Sequence, residues 1–279
     1  LEILHIQAQG LATRLSKIHC KDVVIGISGG LDSTLALLVC HEAFKINNYD
    51  SKGIHAITMP GFGTTKRTKS NAQILMGLLH VSSEEISIVD GVNQHFKDIH
   101  HDPEVHNITY ENSQARERTQ ILMDLSNAYN AIVVGTGDLS ELALGWCTYN
   151  GDHMSMYAVN ASVPKTLVRY IVESVALKDE ILHDVLMDIC DTPVSPELLP
   201  PDKNGKIAQK TEEVLGSYDL HDFFLYQMLR HHDEPKKIYD LACVAFKDVE
   251  KETIKKAITT FYNRFFTQQF KRNCMPDGV

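Results

Sequence analysis

The chain has 279 residues, 43% of them hydrophobic and 23% charged, and a formal net charge of −9 with its histidines neutral. That length suits one large domain, or one domain with an appendage. The acidic balance argues against a dedicated nucleic-acid binder, and the lack of any apolar run of spanning length argues against a membrane-embedded chain.

In chain order, four short β-rich segments alternate with helical patterns. They are 22–27 (DVVIGI), 53–59 (GIHAITM), 85–89 (EISIV) and 131–135 (AIVVG). The first, second and fourth are nearly continuous apolar runs, the pattern of strands covered on both faces. Helical patterns at 34–44, 68–79 and 113–129 lie between them. The alternation predicts an α/β fold with a doubly wound, mainly parallel sheet. From about residue 165 the chain reads as helical, over 165–177, 181–189, 220–229 and 251–270. The organisation expected is therefore an α/β core over about 1–165 and a mostly helical part over 166–279. The stretch 191–206, DTPVSPELLPPDKNGK, carries four of the nine prolines and reads as irregular.

The six cysteines are scattered, with no C-x-x-C, and read as reduced core thiols of a cytoplasmic protein. The pairs His100-His101 and His231-His232 lie in polar sequence without the helical spacing of zinc ligands, and read as solvated. No signal peptide is visible. A start at Leu1 without methionine reads as a processed piece or an excised domain.

Open α/β sheets bind ligands beyond the carboxyl ends of their strands. The first such edge reads GISGGLDS, from Gly26 to Ser33. A Walker A loop would need a lysine that is absent, and Ser28 breaks the dinucleotide fingerprint. The nucleophile elbow G-x-S-x-G does fit Gly26–Gly30, but an elbow follows several earlier strands, whereas this turn follows the first. The physics favours another reading. Gly29 and Gly30 let successive N–H groups of Gly26, Ile27, Ser28, Gly29, Gly30 and Leu31 curl towards one concavity. Ser28 and Ser33 add hydroxyls, and the following helix points its positive end at the same spot. Asp32 would repel a phosphate chain unless a cation stands between them, which implies Mg²⁺.

S-G-G-x-D-S resembles the signature of the ATP pyrophosphatases, which cleave ATP between its α- and β-phosphates. Four further segments resemble the NAD synthetase family over nearly the whole chain: GTGDLSELALGWCTYNGDHMSMYAVNASVPKTLV (135–168), DTPVSPEL (191–198), HDFFLYQMLR (221–230) and RFFTQQFKRNCMPDG (264–278). They look most like the synthetase domain of the longer, glutamine-dependent bacterial enzymes, whose preceding glutaminase domain is expected to be absent here. The resemblance implies amidation of deamido-NAD to NAD with ATP and ammonia, releasing AMP and pyrophosphate, by a homodimer.

The same resemblance suggests roles residue by residue. Thr136 would touch ATP, and Glu141 would join Asp32 at Mg²⁺. Lys165 would sit on the ATP phosphates; otherwise a lysine at a helix start opposes the helix dipole. Ser195 matches an ATP-contacting hydroxyl, and the backbone of Met59 matches the adenine position. Arg116 and Lys271 match the dinucleotide site. Arg118, two residues after Arg116, points to another side of its helix and reads as solvated or paired. Where short ammonia-dependent enzymes place a Lys and an Asp for deamido-NAD, this chain has Tyr149 and Met156, as the longer class does. Trp146 and Tyr149 could stack on a ring or serve as core or interface. Two other readings stay open on the sequence: another amidotransferase domain of the superfamily, such as a GMP synthetase, or a non-catalytic adenine-nucleotide binder.

Overall fold

The fold is taken from a computed structural model that describes residues 1–64, 66–192, 198–199 and 215–279. Ser195 and most of the proline-rich stretch lie outside the described residues.

Apolar runs too short for a helix and flanked by turn residues form the strands. β1 (Val23–Gly26), β2 (Ile54–Thr58), β3 (Ser82–Glu85), β4 (Ile132–Gly135) and β5 (Tyr157–Ala158) make one sheet in the order β3-β2-β1-β4-β5, parallel throughout. β1 sits at its centre, with Val23, Val24 and Ile25 fully buried between two helical layers. The doubly wound α/β expectation holds.

On one face lie α1 (Glu2–Lys17), α2 (Leu31–Asn47), α7 (Lys165–Ala176) and α8 (His183–Cys190), which share a single core with the sheet. On the other, α4 (Val89–Asp98) and α5 (Ile108–Tyr129) cover Val24 and Ile57 with Phe96 and Tyr110. The helical character that begins near residue 165 thus starts with two helices that still belong to the sheet's core. A separate core follows, built by α9 (Tyr218–His231), α10 (Pro235–Ala245) and α11 (Lys251–Thr267) around Phe224 and Phe261. It also takes in Ala143 and Leu144 of α6 (Leu139–Leu144).

The third strand is displaced from its expected place at 85–89. β3 is an edge strand of sequence SSEE with only its first residue shielded, a polar edge that discourages pairing with other chains. The apolar Ile86 and Ile88 follow it, their N–H groups donating to Thr58 and Pro60 as the chain turns into the core. The apolar signal marked entry into the core rather than the ladder. Among the described residues, four α-helices and one strand had no sequence expectation: α1, α4, α6, α10 and the two-residue β5. α3 (Lys66–Leu78) begins two residues before its expected start, and its Thr68 backs the turn after β1.

Candidate active site

The strand order reverses at β1, whose two neighbours β2 and β4 are wound in opposite directions, so the turns after β1 and β4 open onto one crevice. A cavity of about 560 Å³ occupies it.

The turn after β1 is shaped by its backbone. Gly29 has φ of +85°, and a Cβ there would lie 2.1 Å from the Thr68 carbonyl oxygen. No side chain fits, so glycine is required on both conformational and steric grounds. Two serines hold the turn. Gly30 N–H donates to Ser28 Oγ (3.1 Å), Ser28 N–H to Ser33 Oγ (3.3 Å), and Ser33 Oγ to the Gly30 carbonyl (3.1 Å). α2 then starts at Leu31 behind an extended Gly30 with no side-chain cap, leaving its positive end open to the crevice. Gly26, Ile27, Ser28, Gly30, Leu31, Asp32 and Ser33 line the cavity, whereas Gly29 turns its back to it, against Thr68.

The turn after β4 carries side-chain charge instead. Asp138 caps α6 by accepting the Glu141 N–H at 2.9 Å and is fully buried. Lys165, the first residue of α7, is 4% exposed. Its Nζ lies 2.6 Å from Asp32 Oδ2, 2.7 Å from Asp138 Oδ2 and 2.8 Å from Glu141 Oε1. Burial alone would lower the Lys165 pKa, but Asp138, Asp32 and Glu141 outweigh it and hold the ammonium well above its ordinary value. Burial raises Glu141 to about 7, with Lys165 opposing and Asp32 reinforcing the rise. Burial also drives Asp138 well above the usual carboxylate range, against the pull of Lys165.

One carboxylate oxygen from each of Asp32, Asp138 and Glu141 lies within 4.8 Å of the other two. Among the described residues this is the one cluster of acidic, histidine or cysteine side chains able to share a cation. Three carboxylates facing one ammonium leave a shortage of positive charge, and Asp32 Oδ1 is buried with no hydrogen-bond partner. A hard divalent cation with carboxylate ligands fits that donor set.

Asn160 joins the two turns. Fully buried, it donates from Nδ2 to the carbonyls of Asp32 and Thr136, both at 3.0 Å, and accepts from Gln7 of α1 at 3.0 Å. A side chain at this point that lacked two donors would leave both carbonyls unmet.

The remaining walls place most of the other expected residues. Thr136 and Met59 line the cavity, and Arg118 lines it too, donating to the Met59 carbonyl at 3.1 Å. Arg118 is thus paired and in the site, beside the cavity that Arg116 does not line. Arg116 is exposed and donates to the Tyr149 carbonyl at 3.3 Å; Tyr149, 39% exposed, packs its ring 5.3 Å from Phe270 and is also off the lining. Lys271 lines the cavity while its Nζ donates to the carbonyls of Gly145 (2.9 Å) and Cys147 (2.5 Å). With Arg264 on the Leu144 carbonyl and Arg272 on that of Ala143, it neutralises the negative end of α6. Trp146 lines the cavity under the Arg264 guanidinium, 5.3 Å from its ring.

Sequence reasoning missed Asp138, Asn160 and Arg118. Asp138 three residues before Glu141 is a visible capping pattern. Asn160 had no signal, because its partners lie 128 and 24 residues away.

A family model described as NAD synthase matches residues 3–274. A glutamine-dependent NAD(+) synthetase of Mycobacterium leprae is 41% identical over 99% of this chain, which spans 44% of that protein's length. An NH(3)-dependent NAD(+) synthetase of Trichlorobacter lovleyi is 27% identical, over 94% of this chain and 84% of its own. Among solved structures, a glutamine-dependent NAD+ synthetase of Acinetobacter baumannii in complex with adenosine diphosphate superposes with a TM-score of 0.60 at 25% identity, over 95% of this chain and 45% of that one.

Proposed function

This chain belongs to the NAD synthase family, and from that premise we propose that it amidates deamido-NAD to NAD with ATP and ammonia, releasing AMP and pyrophosphate. The observation that carries the reading is the meeting, at one cavity, of an amide-lined turn and a Lys165-centred acid cluster that lines it through Asp32 and Glu141.

In the proposed reaction the nicotinate carboxylate oxygen bonds to the α-phosphorus of ATP, and the bond from that phosphorus to the bridging oxygen breaks. Pyrophosphate leaves into the turn of Ser28–Ser33, where hydroxyls, amides and the positive end of α2 receive it. The Ser28–Ser33 contacts of the free turn are exchanged for phosphate oxygens. Lys165 remains charged at neutral pH and presents a fixed cation beside the departing group. Ammonia then bonds to the acyl carbon, AMP departs, and the surplus proton passes to solvent. No protein nucleophile is needed, because positioning and charge supply the rate. Met59, Leu122 and Thr136 offer the wall on which the adenosine half of ATP rests.

Asp32, Asp138 and Glu141 would hold Mg²⁺. Bound there, the ion would neutralise charge developing on the phosphates. On the other side, Lys271 faces the cavity towards deamido-NAD, with Arg116 and Tyr149 joined at its margin. A homodimer that brings a second copy to that exposed margin completes the reading. The six free thiols suit a reducing, cytoplasmic setting, and no described helix is long and apolar enough to cross a membrane.

The test is pyrophosphate release and NAD formation with each substrate omitted in turn, first with ammonium and then with glutamine as nitrogen donor. The reading predicts NAD with ammonium, and pyrophosphate only when ATP and deamido-NAD are both present. Pyrophosphate release without deamido-NAD, or no NAD with ammonium, would refute it.

A further inference from the structure

Lys165 opens α7, and α7 has no side-chain cap of its own behind Pro164. The first amides of a helix need partners from elsewhere. Here they come from α9, in the C-terminal helical cluster. Asp222 Oδ2 accepts the Thr166 N–H (2.9 Å) and the Thr166 hydroxyl (2.7 Å). Asp222 Oδ1 accepts the Ser140 hydroxyl, and Ser140 Oγ in turn accepts the Lys165 N–H at 2.9 Å. One carboxylate, 8% exposed, thereby satisfies the first two amides of α7, one directly and one through Ser140.

Ser140 lies in α6 between Asp138 and Glu141, so the same carboxylate is fastened to both segments that build the charged centre. Its negative charge also offsets the unfavourable start of α7 with a lysine. One turn earlier on the same face of α9, the Tyr218 ring lies 5.6 Å from the Lys165 ammonium and is 3% exposed. Asp222 itself does not line the cavity. Whatever it does for the site, it does through the groups it holds.

We propose that Asp222 is a positioning residue, which sets α6 and α7 in the register that brings the Lys165 ammonium among Asp32, Asp138 and Glu141. Through Asp222, α9 therefore fixes the charge geometry of a site it does not line. The effect on turnover rests on the function proposed above; the effect on local order does not.

The experiment uses the whole chain in two measurements. The first is amide hydrogen exchange of Asp222→Asn, which keeps the volume but removes the charged double acceptor. Exchange at the start of α7 is expected to quicken at least tenfold, with α2 unchanged. Unchanged exchange at Lys165 and Thr166, or equal quickening throughout α2, overturns the proposal. The second is a double-mutant cycle on turnover with Lys165→Gln. Asp222→Asn alone is expected to lower kcat at least tenfold while KM for ATP stays within about threefold, and to change kcat less than twofold once Lys165 is gone. The same loss in both backgrounds overturns it. If Asp222→Asn does not fold, Thr166→Val, which removes only the hydroxyl bond, is read in the same two ways with a severalfold effect. A wild-type chain without turnover would reject the proposed function, while the exchange result would still decide the role of Asp222.

Discussion

The turns after β1 and β4 face one another across a single crevice and hold it by opposite means. The first is a backbone device: glycine, serine hydroxyls and the open start of α2, with Asp32 its one formal charge. The second is a side-chain device, in which a buried Asp138, Glu141 and Lys165 crowd within hydrogen-bonding distance. A backbone device is largely neutral and depends on which residues can adopt its shape. A charged device depends on which distant elements deliver its members. Substitutions should therefore injure the two turns differently, and the sharpest tests exploit that difference.

The largest effect is expected at the join. Asp32 belongs to the first turn in sequence and to the second in charge. Asp32→Ala should lower pyrophosphate release on the order of 10³-fold with an unchanged circular dichroism spectrum. Near-normal turnover would break the comparison, because the two turns would then not share a charged centre.

Glycine substitution separates the turns next. Gly29→Ala must place a Cβ against the Thr68 backbone and hold a left-handed φ, which together should cost about 2 kcal/mol or more of stability and weaken ATP binding. Gly137→Ala, in the second turn, meets nothing within 4 Å and needs no left-handed φ, so its stability should stay within about 0.5 kcal/mol of the parent. Thermal unfolding of both variants reads the contrast; equal losses would remove it.

Asp138→Asn keeps the helix-capping oxygen and removes a buried charge. Loss of the ion pair and relief of desolvation nearly cancel, so stability should move by no more than about 1 kcal/mol. Turnover should nevertheless need a magnesium concentration at least tenfold higher. A magnesium titration of the initial rate checks this, and an unaltered requirement would take Asp138 out of the cation's ligand set.

The smallest effect lies outside both turns and serves as their control. On α2, burial lowers the His41 pKa from 6.5 to about 4, with Lys45 and His80 adding to the shift and Asp179 opposing it. A depressed pKa means that the unfolded chain takes up the proton first as pH falls. Stability from this group is thus complete above about pH 6.5 and is lost as pH drops towards 4. His41→Gln should flatten that acid limb in a plot of melting temperature against pH, without changing turnover at pH 7.5. A parallel limb in both proteins would show that the acid response arises elsewhere.

How much of this was legible follows the same division. The first turn could be read because its requirements are local: glycines, hydroxyls and an acid in register after an apolar strand. The central strands β1, β2 and β4 were legible for the same reason, being buried on both faces. β3 was misplaced because an edge strand need not be apolar, and β5 escaped because two residues carry no pattern. Lys165 and Glu141 were suggested by family resemblance and Asp32 by its place in the first turn, but nothing local showed that one ammonium would touch three carboxylates. Asp138 reads as a cap and nothing more until α7 arrives beside it. Asn160 and Asp222 act only through contacts that the tertiary fold creates. Arg118 was set aside for Arg116 because periodicity places two arginines on different sides of a helix without saying which side faces the cavity.

The central claim is that the two turns close on one cation-bridged triphosphate. The most direct measurement is a crystal structure with a non-hydrolysable ATP analogue and Mn²⁺ as an anomalous stand-in for Mg²⁺. The account predicts the outer phosphates in the turn of Ser28–Ser33 and an anomalous peak bounded by Asp32 and Glu141. Phosphates seated elsewhere in the cavity, or a peak away from both acids, would contradict it.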